Sequence, residues 1–346
     1  MVKTDNVNGL PSEPLFLYGS GRSGTTWLEE RIAGALDAEV IFEPLQERLH
    51  GTAKAYGFRY LDASENHPEL QIYFQKLIMG DLKYFWTRYR ILPDRLLPTI
   101  QTFSNKGEFK AWIKRFPDAF RLMVRYHSTI NRPRKIIKLI RANLMIAWLN
   151  KTFPSSLHIA IVRHPAAVIE SRMRLDRVAQ NISIVKGASD WNAKNLLNKY
   201  LQYQLPKELK KIIKDIGSMD KLSLYEHHCL LWCIENKLLF NYKNIVSQLI
   251  YYEDVIDKEN QTWRDLADII NVDENQLTHG MEKPSQQSSK LNQRLQLKFY
   301  NSSSPIEKLK CIHGSSCIHI LQDYLDLFSI KHYRADSLFP IHHCEK

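Results

Sequence analysis

The apolar positions of this chain fall into short continuous runs separated by stretches of helical spacing. Leu15-Phe16-Leu17-Tyr18 is one such run, and it breaks into the glycine-rich stretch from Gly19 to Gly24. From Thr25 to Leu36 the spacing turns helical, with Trp27, Leu28, Ile32 and Leu36 on related faces, so the order is strand, loop, helix. Val40-Ile41-Phe42 reads as a second short strand that ends at Glu43-Pro44. Leu157 to Val162 reads as another, stopping at Arg163-His164-Pro165 and feeding a helix from Ala166 to about Arg174. Leu222 to Leu239 reads as a long helix, Val246 to Tyr252 as a further strand, and Thr262 to Ile270 as the helix after it. Ile136-Ile137-Lys138-Leu139 fits a strand, while the longer stretch Ile136 to Leu149 is also the most apolar helical candidate. Strands alternating with helices predict an α/β fold, a central parallel sheet covered by helices on both faces.

Between these elements, residues 46–134 mix aromatic and basic side chains in segments punctuated by Pro68, Pro93, Pro98, Pro117 and Pro133. They read as a helical insertion rather than a separate domain. Gln276 to Ser304 is polar and reads as a mobile loop, and no internal repeat is visible. With 346 residues and 44% apolar composition, the chain has enough material for a sizeable core in one elaborated α/β domain spanning 1–346.

The formal charge of +11 adds a preference for a polyanionic partner, whether nucleic acid, an anionic membrane face or a multiply phosphorylated ligand. Five cysteines (Cys229, Cys233, Cys311, Cys317, Cys344) form no CxxC pair, which argues for a reducing compartment rather than a disulfide framework. Cys229 and Cys233 share a helix face, where packing explains them better than metal. Met1 to Glu13 lacks the apolar core of a signal peptide, and Ile136 to Leu149 is too short and too charged to span a bilayer. The expectation is a cytoplasmic protein with no membrane and no metal.

Gly19-Ser20-Gly21-Arg22-Ser23-Gly24-Thr25-Thr26 carries the most specific chemistry. Backbone N–H groups of such a loop, backed by the positive end of the following helix, form an anion cradle. The spacing matches the glycine half of a Walker A loop, yet Thr25 stands where its lysine would. The strand ending at Val162 likewise runs into Arg163 rather than into a magnesium-binding aspartate. The loop therefore suits a phosphate-like group other than an ATP γ-phosphate.

Gly21-Arg22-Ser23-Gly24-Thr25-Thr26-Trp27 resembles the phosphosulfate loop of the sulfotransferases. Ile161-Val162-Arg163-His164-Pro165 with Val168 and Ser171 resembles the family's 3′-phosphate segment, in which an arginine closes a strand and a serine follows eight residues later. Glu43-Pro44-Leu45, 21 residues after Arg22, is similar to the Glu-Pro-Leu of the carbohydrate branch, and Tyr251-Tyr252-Glu253-Asp254 resembles a late Tyr-Glu-Asp block. The resemblance runs from about residue 15 to 270. It implies a P-loop-like sulfotransferase fold, 3′-phosphoadenosine-5′-phosphosulfate as the donor and 3′-phosphoadenosine-5′-phosphate as the product. It also implies donor contacts from Gly21 to Trp27 and from Arg163, Ser171 and Tyr252, with Trp27 stacking on adenine unless it is ordinary core.

The multiply charged donor is one that the loop amides, Arg22 and Arg163 can meet with charge-assisted hydrogen bonds. Arg22 is placed for the bridging oxygen, and Lys138 with Arg141 for the donor or acceptor. Many relatives carry Lys-x-His ahead of the 3′-phosphate strand, but here Ile140 stands where that histidine would fall. Glu43 is then the candidate base, with a structural ion pair as the competing role and His50 and His127 in reserve. Lys290 and Arg294 are candidates to close over the 3′-phosphate, and Tyr84-Phe85-Trp86 with Tyr89-Arg90 either lines an acceptor pocket or packs in the core. The acceptor expected is a small molecule or carbohydrate. A P-loop small-molecule kinase and a basic nucleic-acid-binding module are the competing readings, and no recognised motif supports the second.

Overall fold

The computed structural model describes residues 13–82, 84, 87, 134–181, 192–281 and 304–342, the side chains of 177–181 excepted. Its centre is a five-stranded sheet of β1 (Leu15–Tyr18), β2 (Glu39–Phe42), β3 (Lys135–Leu139), β4 (Leu157–Val162) and β5 (Gln248–Tyr251) in the order β2-β3-β1-β4-β5. Every neighbouring pair is parallel. Strands covered on both faces need apolar side chains on both, which is why β1 and β4 read as near-continuous runs rather than alternations.

The helices are α1 (Thr25–Leu36), α2 (Gly51–Tyr56), α3 (Pro68–Met79), α4 (Ile146–Thr152), α5 (Pro165–Asn181), α6 (Ala193–Leu201), α7 (Lys207–Ile216) and α8 (Leu224–Asn241). They continue with α9 (Tyr252–Val255), α10 (Thr262–Ile270), α11 (Glu274–Thr278), α12 (Pro305–His313) and α13 (Ser316–Leu327). Alternate strand residues separate two cores. Leu15, Leu17, Ile136, Ile159 and Ile161 pack with α1 and α10, while Phe16, Tyr18, Ile137, Leu139, Ala160 and Val162 pack with α4, α5 and α8.

Several sequence expectations are adjusted. Residues Ile136 to Leu149 are not one helix: Lys135–Leu139 is a strand held on both sides, Ile136 opposite Leu15 of β1 and opposite Val40 of β2. The long helix begins at Leu224 rather than Leu222 because Ser223 and Glu226 form a reciprocal capping box. Helix α5 continues to Asn181 instead of stopping near Arg174, and β5 is shorter than Val246 to Tyr252, with Tyr252 opening a short helix. The polar stretch from Gln276 does not begin as a loop, since Glu274–Thr278 is helical with Asp273 as its cap. Residues 282–303 and most of 83–133 lie outside the described residues, as do His127, Lys290, Arg294 and the Phe85-Trp86 and Tyr89-Arg90 positions. No helix among the described residues is long and apolar enough to cross a membrane. Cys229 and Cys233 are free, buried thiols on α8.

The chain leaves β1 toward the β2 edge and leaves β4 toward the β5 edge. A crevice therefore opens beyond the carboxyl ends of β1 and β4, where ligands bind in sheets of this type.

Candidate active site

The loop after β1 fills that crevice. Arg22 and Gly24 both have left-handed backbones, with φ of 78° and 92°. The glycine is required twice over, because a Cβ at Gly24 would lie 2.4 Å from Cδ2 of Tyr252. No side chain caps α1 and no acid stands in its first turn, so its leading amides face the crevice with the positive end of the helix behind them. Helix α5, starting at the end of the adjacent strand, is closed by contrast. Glu253 Oε1 accepts from the His164 amide at 2.8 Å, and His164 Nδ1 accepts from the Ala166 amide at 3.1 Å. The open anion cradle is thus the start of α1.

Cations converge on it. Arg22 Nε donates to Ser171 Oγ at 2.8 Å, across from α5. Burial pushes the Arg22 guanidinium down to a pKa of about 10, with the charges of Arg174, Arg163 and Arg172 adding to the effect and Glu170 opposing it. Arg163 lies with its guanidinium carbon 4.2 Å from the centre of the Tyr252 ring, and its Nε is buried without a hydrogen-bond partner. The four guanidiniums repel each other, and two are met by carboxylates, Arg172 by Glu235 at 2.6 Å and Arg174 by Glu170 at 3.9 Å, which leaves Arg22 and Arg163 as the two best placed for an anion.

A second group sits on the other side of the loop. Lys138 alternates with Ile136 along β3 and so faces α1, where its Nζ donates to Thr26 Oγ1 at 2.9 Å. The same ammonium is 3.2 Å from Glu43 Oε1 and 4.0 Å from the centre of the Phe42 ring. Glu43 Oε2 accepts from Arg141 Nη1 at 2.9 Å and from the Ile140 amide at 3.3 Å. Glu43 is 2% exposed and holds a left-handed backbone, φ 47°. Its Oε1 accepts no hydrogen bond.

The site residues expected from sequence therefore divide into clear placements. Gly21, Arg22, Ser23, Gly24, Thr25, Thr26, Arg163, Ser171 and Tyr252 gather around the β1–β4 crevice, and Lys138 with Glu43 stands beside it. Trp27 is buried, edge-on to Tyr252 and Trp263, so core packing accounts for this ring. His50 is exposed and caps α2 through Nδ1. Among the described residues, no group of three or more His, Cys, Asp or Glu side chains converges as a metal site.

No family model matches the chain, and no curated protein matches it. Solved structures do resemble it. A sulfotransferase domain from the curacin biosynthetic pathway is 17% identical with a TM-score of 0.37, covering 88% of this chain and 97% of that one. A sulfotransferase domain from the Synechococcus PCC 7002 olefin synthase is 17% identical with a TM-score of 0.43, covering 94% and 97%. With so few residues shared, the roles of the side chains rest on their own geometry.

Sequence reasoning missed Arg172, Arg174 and Glu235. The first two follow Ser171 in the run Ser171-Arg172-Met173-Arg174, where two cations on one helix turn beside the suspected 3′-phosphate serine were a readable signal. Glu235 was readable as a lone acid within the apolar stretch from Cys229 to Leu239.

Proposed function

We propose that this chain is a sulfotransferase that takes the sulfuryl group of 3′-phosphoadenosine-5′-phosphosulfate and passes it in line to a hydroxyl or nitrogen of a small-molecule or carbohydrate acceptor. The observation carrying this reading is an uncapped helix start flanked by Arg22 and Arg163, with Thr25 in place of a nucleotide-binding lysine. The buried Arg163 Nε fits the same donor, since it is a charged N–H that lacks a hydrogen-bond partner.

In this reading the amides from Gly21 to Trp27 and the side chain of Arg22 hold the phosphosulfate end. Arg163, Ser171 and Tyr252 hold the 3′-phosphate end. When bound, the donor supplies a sulfuryl group on a phosphate leaving group. Permanently charged neighbours then stabilise the negative charge that grows on the leaving oxygen. Lys138, tied to Thr26 Oγ1, adds a positive charge at the loop's far end. Glu43 Oε1 is the atom assigned to receive the acceptor's proton, because Oε2 is already engaged twice while Oε1 accepts no hydrogen bond.

The test is incubation with the phosphosulfate donor and a panel of hydroxyl and amine acceptors in the presence of EDTA, following release of the bisphosphate by mass spectrometry. Acceptor-dependent release is expected. Phosphoryl transfer from ATP that requires Mg²⁺, with no bisphosphate released from the sulfuryl donor, would make the chain a kinase instead.

A further inference from the structure

Two adjacent side chains of α5 grip the phosphate loop, and they grip different parts of it. Ser171 accepts from the side chain of Arg22, while Arg172 donates through Nε and Nη2 to the carbonyl oxygen of Gly21, at 3.2 and 3.0 Å. That carbonyl belongs to the peptide immediately before Arg22. Two donors of one guanidinium on a single carbonyl oxygen hold that oxygen in place. They also direct the carbonyl oxygen toward α5.

The residue that follows this peptide is under strain. Arg22 is not glycine yet holds φ 78°, a conformation that an L residue with a long side chain keeps only when its surroundings over-determine it. Arg172 and Ser171 supply the two restraints, one on the peptide ahead of the Cα and one on the side chain beyond it.

Arg172 is itself held. Its Nη2 donates to Glu235 Oε2 at 2.6 Å, and the other oxygen of that carboxylate accepts from the Tyr200 hydroxyl at 3.2 Å. Arg172, Glu235 and Tyr200 are all buried, and Tyr200 packs edge-on to Phe58. Burial raises the Glu235 carboxyl, and the Arg172 charge is the largest influence opposing that rise. The carboxylate thus has a partner on each oxygen, and Arg172 is held through Nε and Nη2 while its buried Nη1 has no hydrogen-bond partner.

We propose that Arg172, anchored by Glu235, is a positioning residue that sets the Gly21–Arg22 peptide and so presents Arg22 and the loop amides to an anion. The proposal rests on the donor-binding reading for its ligand, but its structural half can be measured without any ligand.

The experiment uses the full chain carrying Arg172→Lys, which keeps the charge and removes the fork. In the ligand-free protein, hydrogen exchange followed by mass spectrometry should show the amides of residues 19–27 exchanging at least about tenfold faster, with those of β3 and α8 unchanged. Affinity for 3′-phosphoadenosine-5′-phosphate should fall by about tenfold or more, the loss expected when a charge-assisted contact is misplaced. Faster loop exchange in a protein whose wild type does not bind the bisphosphate would keep the clamp and reject the donor. Unchanged loop exchange, or equal acceleration in α5, α8 and the loop, would overturn the proposal, because the ion pair would then only join helices. If Arg172→Lys does not fold, Glu235→Gln removes the charge and keeps both hydrogen-bond partners. It should loosen the same amides by at least about threefold, roughly the loss of a fraction of one such contact, and wild-type behaviour in that variant would likewise overturn the proposal.

Discussion

Replacing Arg163 by methionine separates a binding role from a structural one, because the two predict opposite balances. The Arg163 guanidinium lies 4.2 Å from the centre of the Tyr252 ring, a contact of about 0.5–2 kcal/mol. The same charge favours the buried Glu253 carboxylate but raises the energy of Arg22, since it is among the three guanidiniums that depress the Arg22 pKa. These contributions oppose each other, so the ligand-free protein should change in stability by no more than about 1 kcal/mol, or roughly 2 °C in Tm for a chain of this size. Toward the ligand nothing offsets the loss. The Nε that has no protein partner would no longer be there to meet the 3′-phosphate, at a cost of about 1.5–3 kcal/mol, which is roughly a ten- to hundredfold rise in Kd. Calorimetric titration in EDTA with 3′-phosphoadenosine-5′-phosphate and with adenosine 5′-monophosphate reads this directly. The bisphosphate should weaken by that factor and the monophosphate by far less. Equal weakening of both ligands, or a large drop in the ligand-free Tm, would refute the assignment of Arg163 to the 3′-phosphate.

Other substitutions follow from the same geometry. Glu43→Gln leaves Lys138 and Arg141 buried without their carboxylate, so unfolding stability should fall by about 3 kcal/mol or more. In the folded fraction kcat should drop about 10²–10⁴-fold, and near wild-type turnover across acceptors would remove Glu43 as the base. Gly24→Ala should weaken bisphosphate binding by at least about tenfold in titration, since the strained φ of 92° and the clash with Tyr252 displace the loop; unchanged affinity would mean that the loop is not the binding element. Burial lowers His164 to a pKa of about 4, so the unfolded chain takes up this proton first as pH falls. Stability should therefore be complete above about 6.5 and decline by up to roughly 3 kcal/mol between pH 6.5 and 4. Denaturant melts of His164→Asn should lack that part of the decline, and an identical acid limb would show that His164 is not its source.

Much of this arrangement was legible in the sequence because it is local. The run Leu15 to Tyr18, the glycines after it and the helical spacing from Thr25 to Leu36 specify a strand, an anion-binding turn and a helix within one stretch, and the structure gives β1 and α1 the same bounds. Arg163 at the end of a strand and Ser171 eight residues on were legible for the same reason. What was not legible depends on pairing at a distance. That Lys138 reaches Thr26 follows from β3 lying between β1 and β2, an order that no local pattern specifies. The Arg172–Glu235 link joins positions 63 residues apart, and Glu235 sits in a helix whose apolar pattern predicted only core. The apolar stretch from Ile136 to Leu149 was ambiguous in isolation, and strands on both sides of Lys135–Leu139 resolve it.

The central claim is that the start of α1, flanked by Arg22 and Arg163, binds a 3′-phosphorylated adenosine nucleotide without help from a metal. Titration calorimetry of the protein in EDTA with 3′-phosphoadenosine-5′-phosphate measures it most directly. Saturable one-to-one binding is predicted, retained when Mg²⁺ replaces EDTA and much tighter than that of ATP under either condition. No heat with the bisphosphate, together with tight binding of ATP only when Mg²⁺ is present, would contradict the account.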